Sequence, residues 1–113
     1  MKTVTLEVAS ADAVKRRALE AFGGKRQGAR ISFASPDLLW KVLTPKRWEL
    51  LKAMAGQEPM TIREAARRVR RDVKAVHGDV HALLECGVLD KTGDSRITLR
   101  FDAVHVDFTL HAA

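Results

Sequence analysis

The chain has 113 residues, 20 Lys and Arg against 14 Asp and Glu for a formal net charge of +6, and a composition 46% hydrophobic but only 5% aromatic, with no tyrosine. This supplies one core built from Leu, Val, Ile and Ala, excludes global disorder and a second independent core, and favours acidic partners such as nucleic acid. No apolar run nears the roughly 18–20 residues that span a bilayer, MKTVTLEVAS lacks the apolar centre of a secretory signal, and the lone Cys86 excludes an intramolecular disulfide, so a cytoplasmic protein is expected.

Thr3 to Val8 alternates, with Val4, Leu6 and Val8 on one face and Thr3, Thr5 and Glu7 on the other, as in a half-buried strand. Ser10 or Asp12 caps a helix through ADAVKRRALEAF, where Val14, Ala18, Leu19 and Phe22 recur at helical spacing and Gly23-Gly24 stops it. GGKRQGAR reads as an exposed basic loop, and Ile31 to Ala34 as a short strand. Ser35-Pro36 and Thr44-Pro45 each set a capping residue before a proline at the first helical position. The first opens a helix of about two turns carrying Leu38, Leu39, Val42 and Leu43. The second opens PKRWELLKAMAG, with Trp48, Leu51 and Met54 or Ala55 inward and Gly56 closing it.

Beyond the turn Gln57-Glu58-Pro59, Thr61 to Leu89 reads as two helices around a tight basic turn. Thr61 and Glu64 form a capping box, and Ile62, Ala65, Ala66 and Val69 give the first helix its apolar face. Val73, Val76, Val80 and Leu83 or Leu84 repeat the pattern in the second helix. Arg63, Arg67, Arg68, Arg70, Arg71 and Lys74 face only Glu64 and Asp72. A solvated helix face normally mixes signs, so this cluster points to polyphosphate.

After Gly87 the spacing changes to period two. Val88 to Lys91 predicts a strand, Thr92 to Ser95 a turn, Ile97, Leu99 and Phe101 a second strand, and Val104, Val106, Phe108 and Leu110 a third. Helix, helix, helix, then hairpin is the order of a winged helix-turn-helix, and the fold class expected is α+β with an N-terminal strand-helix extension. Residues 1–30 form that extension and 31–113 the DNA-binding domain.

In such a domain the second helix of the pair enters the major groove by its N-terminal part. Lys74, Ala75, His77, Gly78 and His81 then point outward, with base edges read by Lys74, His77 and Arg71, and phosphates met by Arg67, Arg68 and Arg70. Gly78 costs about 1 kcal/mol against alanine within a helix; close approach of DNA or close packing against another helix would each account for it. Arg96 and Arg100, with Lys91, either serve the wing in DNA contact or solvate a sheet face. His77, His81 and Glu85 share a helical face, but no CxxC or HExxH accompanies them, so neither metal nor cofactor is expected. Trp40 and Trp48 read as core or helix-packing residues, and Cys86 as a buried thiol. No P-loop or GxSxG is present, and no enzyme is expected.

SFASPDLLWKVLTPKRWELLKAM followed by TIREAARRVRRDVKAVHGDVHALLECGVL resembles a prokaryotic family of small winged helix-turn-helix predicted transcriptional regulators, related to the MarR and ArsR types, over about Ile31 to Leu110. The resemblance implies a dimeric, sequence-specific repressor of double-stranded DNA. Some members look like TumA-type antitoxins, which implies a small toxin as a further partner, bound by the N-terminal strand-helix and the Gly23 to Arg30 loop. A protein-interaction module that mainly neutralises such a toxin is the alternative. The apolar strands near the two chain ends are expected to pair with each other or across a two-fold axis.

Overall fold

The computed structural model describes residues 2–9, 11–22, 29–110 and 112. In chain order these form β1 (Thr3–Val8), α1 (Ala11–Phe22), β2 (Ala29–Phe33), α2 (Pro36–Val42), α3 (Pro45–Met54), α4 (Ile62–Val69), α5 (Val73–Cys86), β3 (Asp90–Lys91), β4 (Ile97–Thr98) and β5 (Ala103–Asp107). The architecture is mixed α+β. Ser10, Gly23-Gly24 and most of the loop to Arg30, to which a cap, a helix stop and partner binding were assigned, lie outside the described residues; Ala29 and Arg30 open β2.

The alternation in β1 is realised in part: Val4 and Leu6 are buried, but so is Glu7 on the polar face, where its carboxylate accepts from Arg30 at 2.8 Å and Ser32 at 3.0 Å on β2. β1 is the middle strand of a three-stranded sheet in the order β2-β1-β5, parallel on both sides, and Leu6 sits opposite Ile31 on one neighbour and Val106 on the other. α1 supplies the crossover that a parallel β1–β2 pair requires. The strands near the two chain ends thus pair within one chain. Lys2 and Asp102 begin the pairing: the Asp102 N–H donates to the Lys2 carbonyl at 2.7 Å, and the Lys2 N–H to Asp102 Oδ2 at 2.8 Å. β5 therefore stands in a different sheet from the β3–β4 hairpin.

Local capping signals fix where the helices begin. Ser35 Oγ accepts from the Leu38 N–H, Thr44 Oγ1 from that of Arg47, Thr61 Oγ1 from that of Glu64, and the Asp72 carboxylate from that of Lys74. Each bond satisfies a donor left without an intrahelical partner, contributing about 1 kcal/mol. Gly87, at φ 91°, ends α5 with its N–H on the Leu83 and Leu84 carbonyls. There a left-handed backbone is required, which glycine adopts without strain.

Val88 and Leu89, expected in a strand, are instead fully buried, and both N–H groups return to the Leu83 carbonyl. β3 and β4 pair antiparallel beyond them, and Met60 and Ile97 exchange backbone bonds at 3.0 and 2.8 Å, so the chain before α4 extends the hairpin. One core joins β1 to the helices α2 to α5: Val4 and Leu6 of β1 pack in the same cluster as Leu39, Leu50, Met54, Ala65, Val76, Val80 and Leu83. Burying each of these larger aliphatic side chains contributes about 1.5–3 kcal/mol.

Three inward assignments are corrected. Trp48 and Trp40 stand 38% and 53% exposed; Leu50, Leu51 and Met54 already fill the inward face of α3, and the Trp40 ring meets Phe108 edge-on at the surface. Val73 is also exposed, because the buried face of α5 begins one turn later at Val76. Among the described residues, no helix is long and apolar enough to cross a membrane.

Candidate nucleic-acid interface

The turn between α4 and α5 is made by an arginine in an unusual backbone state. Arg70 caps α4 at φ 56°, ψ 47°, and its N–H reaches the Ala66 and Arg67 carbonyls. A left-handed conformation costs a residue with a Cβ about 1 kcal/mol or more. Arg71 follows with its N–H on the Ala66 carbonyl at 3.1 Å, which turns the chain sharply into α5. A glycine would relieve the strain at the turn but would remove its charge.

The six cations from Arg63 to Lys74 divide into three groups. Arg67 and Arg68 both close on Glu64, the latter at 2.9 Å, and Arg68 also donates to the Gln57 side chain. Only half of the capping box therefore forms, since the Glu64 carboxylate turns to these arginines. The Arg67 and then the Arg68 hydrogen bond hold its pKa down to about 2, against weak desolvation. Arg71 belongs to an internal network: it meets Asp79 Oδ2 at 2.7 Å, while the Arg47 Nε–H donates to Asp79 Oδ1 at 2.9 Å. Burial pushes the Asp79 carboxyl up, and the Arg47 and Arg71 contacts together more than reverse this, leaving it below the usual range. Arg47 also donates to the Lys41 and Val42 carbonyls at the end of α2. Arg71 is thus an anchor of α5, although its Nη1 is buried without a hydrogen-bond partner.

Arg63, Arg70 and Lys74 form the third group, exposed and without a carboxylate partner among the described residues. Arg68, Arg70 and Arg71 converge with Lys46 and Lys52 of α3 on a cleft of about 500 Å³, which also holds Glu49. Lys46 and Lys52 were missed in the sequence because their meeting with the α4–α5 turn depends on how α3 packs.

Along α5, Lys74, His77, Gly78 and His81 are exposed on the outward side. His77 and His81 bring their Nε2 atoms to 3.1 Å, one ring donating to the other. Among the described residues no group of three or more His, Cys, Asp or Glu side chains is placed to hold a metal ion. A Cβ built on Gly78 meets nothing within 4 Å. Packing against another helix therefore does not account for this glycine. Exposed Val73 adds an apolar contact beside Lys74 that the sequence reading had placed in the core.

Arg96 and Arg100 flank the hairpin, each near a carboxylate: Asp94 at 3.2 Å and Asp90 at 3.9 Å. Asp94 itself is held below its ordinary pKa, first by the Thr92 hydroxyl. Cys86 is half-buried, and burial pushes its thiol up while the S–H donates to the Leu83 carbonyl. It is an inert packing group.

The family model that matches runs over residues 42–106, more than half of the chain. The chain belongs to the HVO_A0114 family. No curated protein matches it. The HVO_A0114 match begins at the end of α2 and ends inside β5, so it takes in all ten candidate DNA-binding positions together with Arg47, Asp79 and the basic cleft, and leaves β1, α1 and β2 outside.

Proposed function

We propose that this member of the HVO_A0114 family is a sequence-specific DNA-binding transcriptional regulator, a repressor of winged helix-turn-helix architecture acting as a pair of copies. In this reading α3, α4 and α5 are the three helices, β3 and β4 the wing, and α5 the element that enters the major groove. The observation that carries it is the outward side of the α4–α5 unit. Among the described residues Arg63, Arg70 and Lys74 stand there without carboxylate partners, and Lys74, His77 and Gly78 follow one another along an exposed helix face. Free cations beside an accessible helix suit phosphate contact and groove entry together.

The geometry also redistributes roles. Phosphate contact goes to Arg63, Arg70, Lys46 and Lys52, with Arg67 and Arg68 available once Glu64 yields them. In this reading base-edge contact goes to Lys74 and His77, and the exposed Val73 is the apolar side chain available to a thymine methyl. Arg71 holds α5 at its angle.

Fluorescence anisotropy with duplex DNA from upstream of its own coding region, against a shuffled duplex, is the test. If roughly four phosphates are neutralised per subunit, log K should fall with log salt at a slope of about −4 per subunit. Preference for the native duplex supports sequence reading. Absence of binding at low salt, or binding indifferent to salt, defeats the proposal.

A further inference from the structure

β5 is an edge strand: in the order β2-β1-β5 no described strand pairs with its outer side. Beside it lies an apolar groove of about 560 Å³, lined by Trp40, Leu43, Thr44, Pro45, Trp48 and Val106. A smaller depression continues it along the strand past Trp48, Ala103 and Val104. Two half-exposed indoles beside an open edge are a costly arrangement in water, since burying each aromatic side chain removes roughly 200 Å² of surface. β5 also lacks the proline, lysine or bulge that usually blunts such an edge.

We propose that a second copy of this chain covers this face by pairing its own β5 antiparallel to the first, about a two-fold axis at His105. In the strand Ala103-Val104-His105-Val106-Asp107 the two valines lie symmetrically about that point. With the axis there, Val104 opposes the partner's Val106 and Ala103 opposes the partner's Asp107. A two-fold normal to the sheet keeps each face of both strands on the same side. All four valines then extend the layer that Val104 and Val106 already form against the core, over the Trp40–Trp48 groove.

On the opposite face stand the exposed Asp107 and His105, the latter meeting the partner's His105 on the axis. Each Asp107 lies diagonal to the partner's His105, a separation that side chains bridge. Each imidazole can therefore donate an N–H to the partner's carboxylate, twice per pair. None of the six groove residues belongs to the basic set, and Lys52, which lines the smaller depression, is the side chain that borders both surfaces. The sheet becomes six-stranded, with both β5 edges closed.

The choice of partner follows the reading of a paired regulator, but mass measurement of the full chain without DNA tests the interface separately. Light scattering and sedimentation should give twice the chain mass, with dissociation on dilution. His105→Asp sets carboxylates diagonal to each other twice per pair, and opposite each other on the axis, and should weaken association roughly tenfold. The double variant H105D/D107K sets a lysine diagonal to each new carboxylate and should recover part of that loss. Trp48→Ser should weaken association as well, with circular dichroism melting confirming that the variant folds. A wild-type monomer at every concentration, or a dimer that H105D leaves unchanged, overturns the inference. A monomer that still binds DNA would defeat only the interface, and a dimer that ignores DNA only the regulatory reading.

Discussion

The Arg47 Nε–H donates to Asp79 Oδ1 at 2.9 Å, and this bond ties the middle of α5 to the first turn of α3. Arg71 reaches the other oxygen, so one carboxylate sets the position of the turn and of both helices. Asp79→Asn should destabilise the fold by about 2–3 kcal/mol at neutral pH, because two largely buried guanidinium groups lose their counter-charge. The folded pKa of Asp79 lies below its ordinary value. Its contribution is therefore present above about pH 4, the unfolded carboxyl value, and is lost as pH falls through the folded pKa. Urea melts of the two proteins should separate at pH 7 and converge in acid; equal midpoints at pH 7 would deny the network its role.

Glu64 restrains the basic surface. Its carboxylate occupies Arg67 and Arg68, both of which face solvent. Glu64→Gln should release them and increase affinity for duplex DNA at low salt, with a salt slope steeper by about 0.9 for each phosphate gained. The gain should appear on native and shuffled duplexes alike, since it concerns the backbone. Anisotropy titrations across a salt series read both quantities, and an unchanged slope would place these arginines away from DNA.

Lys74 and Arg70 separate reading from attraction. If Arg70 meets phosphate as proposed, Arg70→Ala should weaken all duplexes by a similar factor. Lys74→Ala should also compress the ratio between native and shuffled DNA, by about 1–3 kcal/mol if the lysine makes a paired contact with a guanine edge. Parallel titrations of both variants decide this. Equal losses on both duplexes from Lys74→Ala would reassign it to the phosphates.

What the sequence disclosed divides by range. The caps at Ser35, Thr44 and Thr61 were legible because each is a bond to a backbone group three residues away. The pairing of β5 with β1 was open, since Lys2 and Asp102 are neighbours only after 100 residues of chain have folded between them. Trp48 misled because helical spacing identifies an apolar stripe without telling which of Trp48, Leu50 and Leu51 lies at its centre. At the site, composition revealed the cationic cluster, whereas its division into free, Glu64-bound and Asp79-bound arginines required distances. Arg71 shows the difference most sharply: by position it belongs with the DNA-facing residues, and by contact it belongs to the frame.

Gly78 offers the cleanest separation of stability from function. It lies within α5 at a helical φ, where alanine would be favoured by about 1 kcal/mol, and an added Cβ meets no atom within 4 Å. Nothing within the folded chain therefore requires the absence of a side chain. If the backbone of α5 approaches DNA closely between His77 and His81, that requirement lies in the complex. Gly78→Ala should raise the melting temperature and lower affinity for the native duplex, and Gly78→Leu should lower affinity further without unfolding the protein. Calorimetry gives the first quantity and anisotropy the second. A stabilised variant that binds as tightly as the original would leave α5 in the groove by its first turn alone, with Val73 and Lys74 carrying the contact.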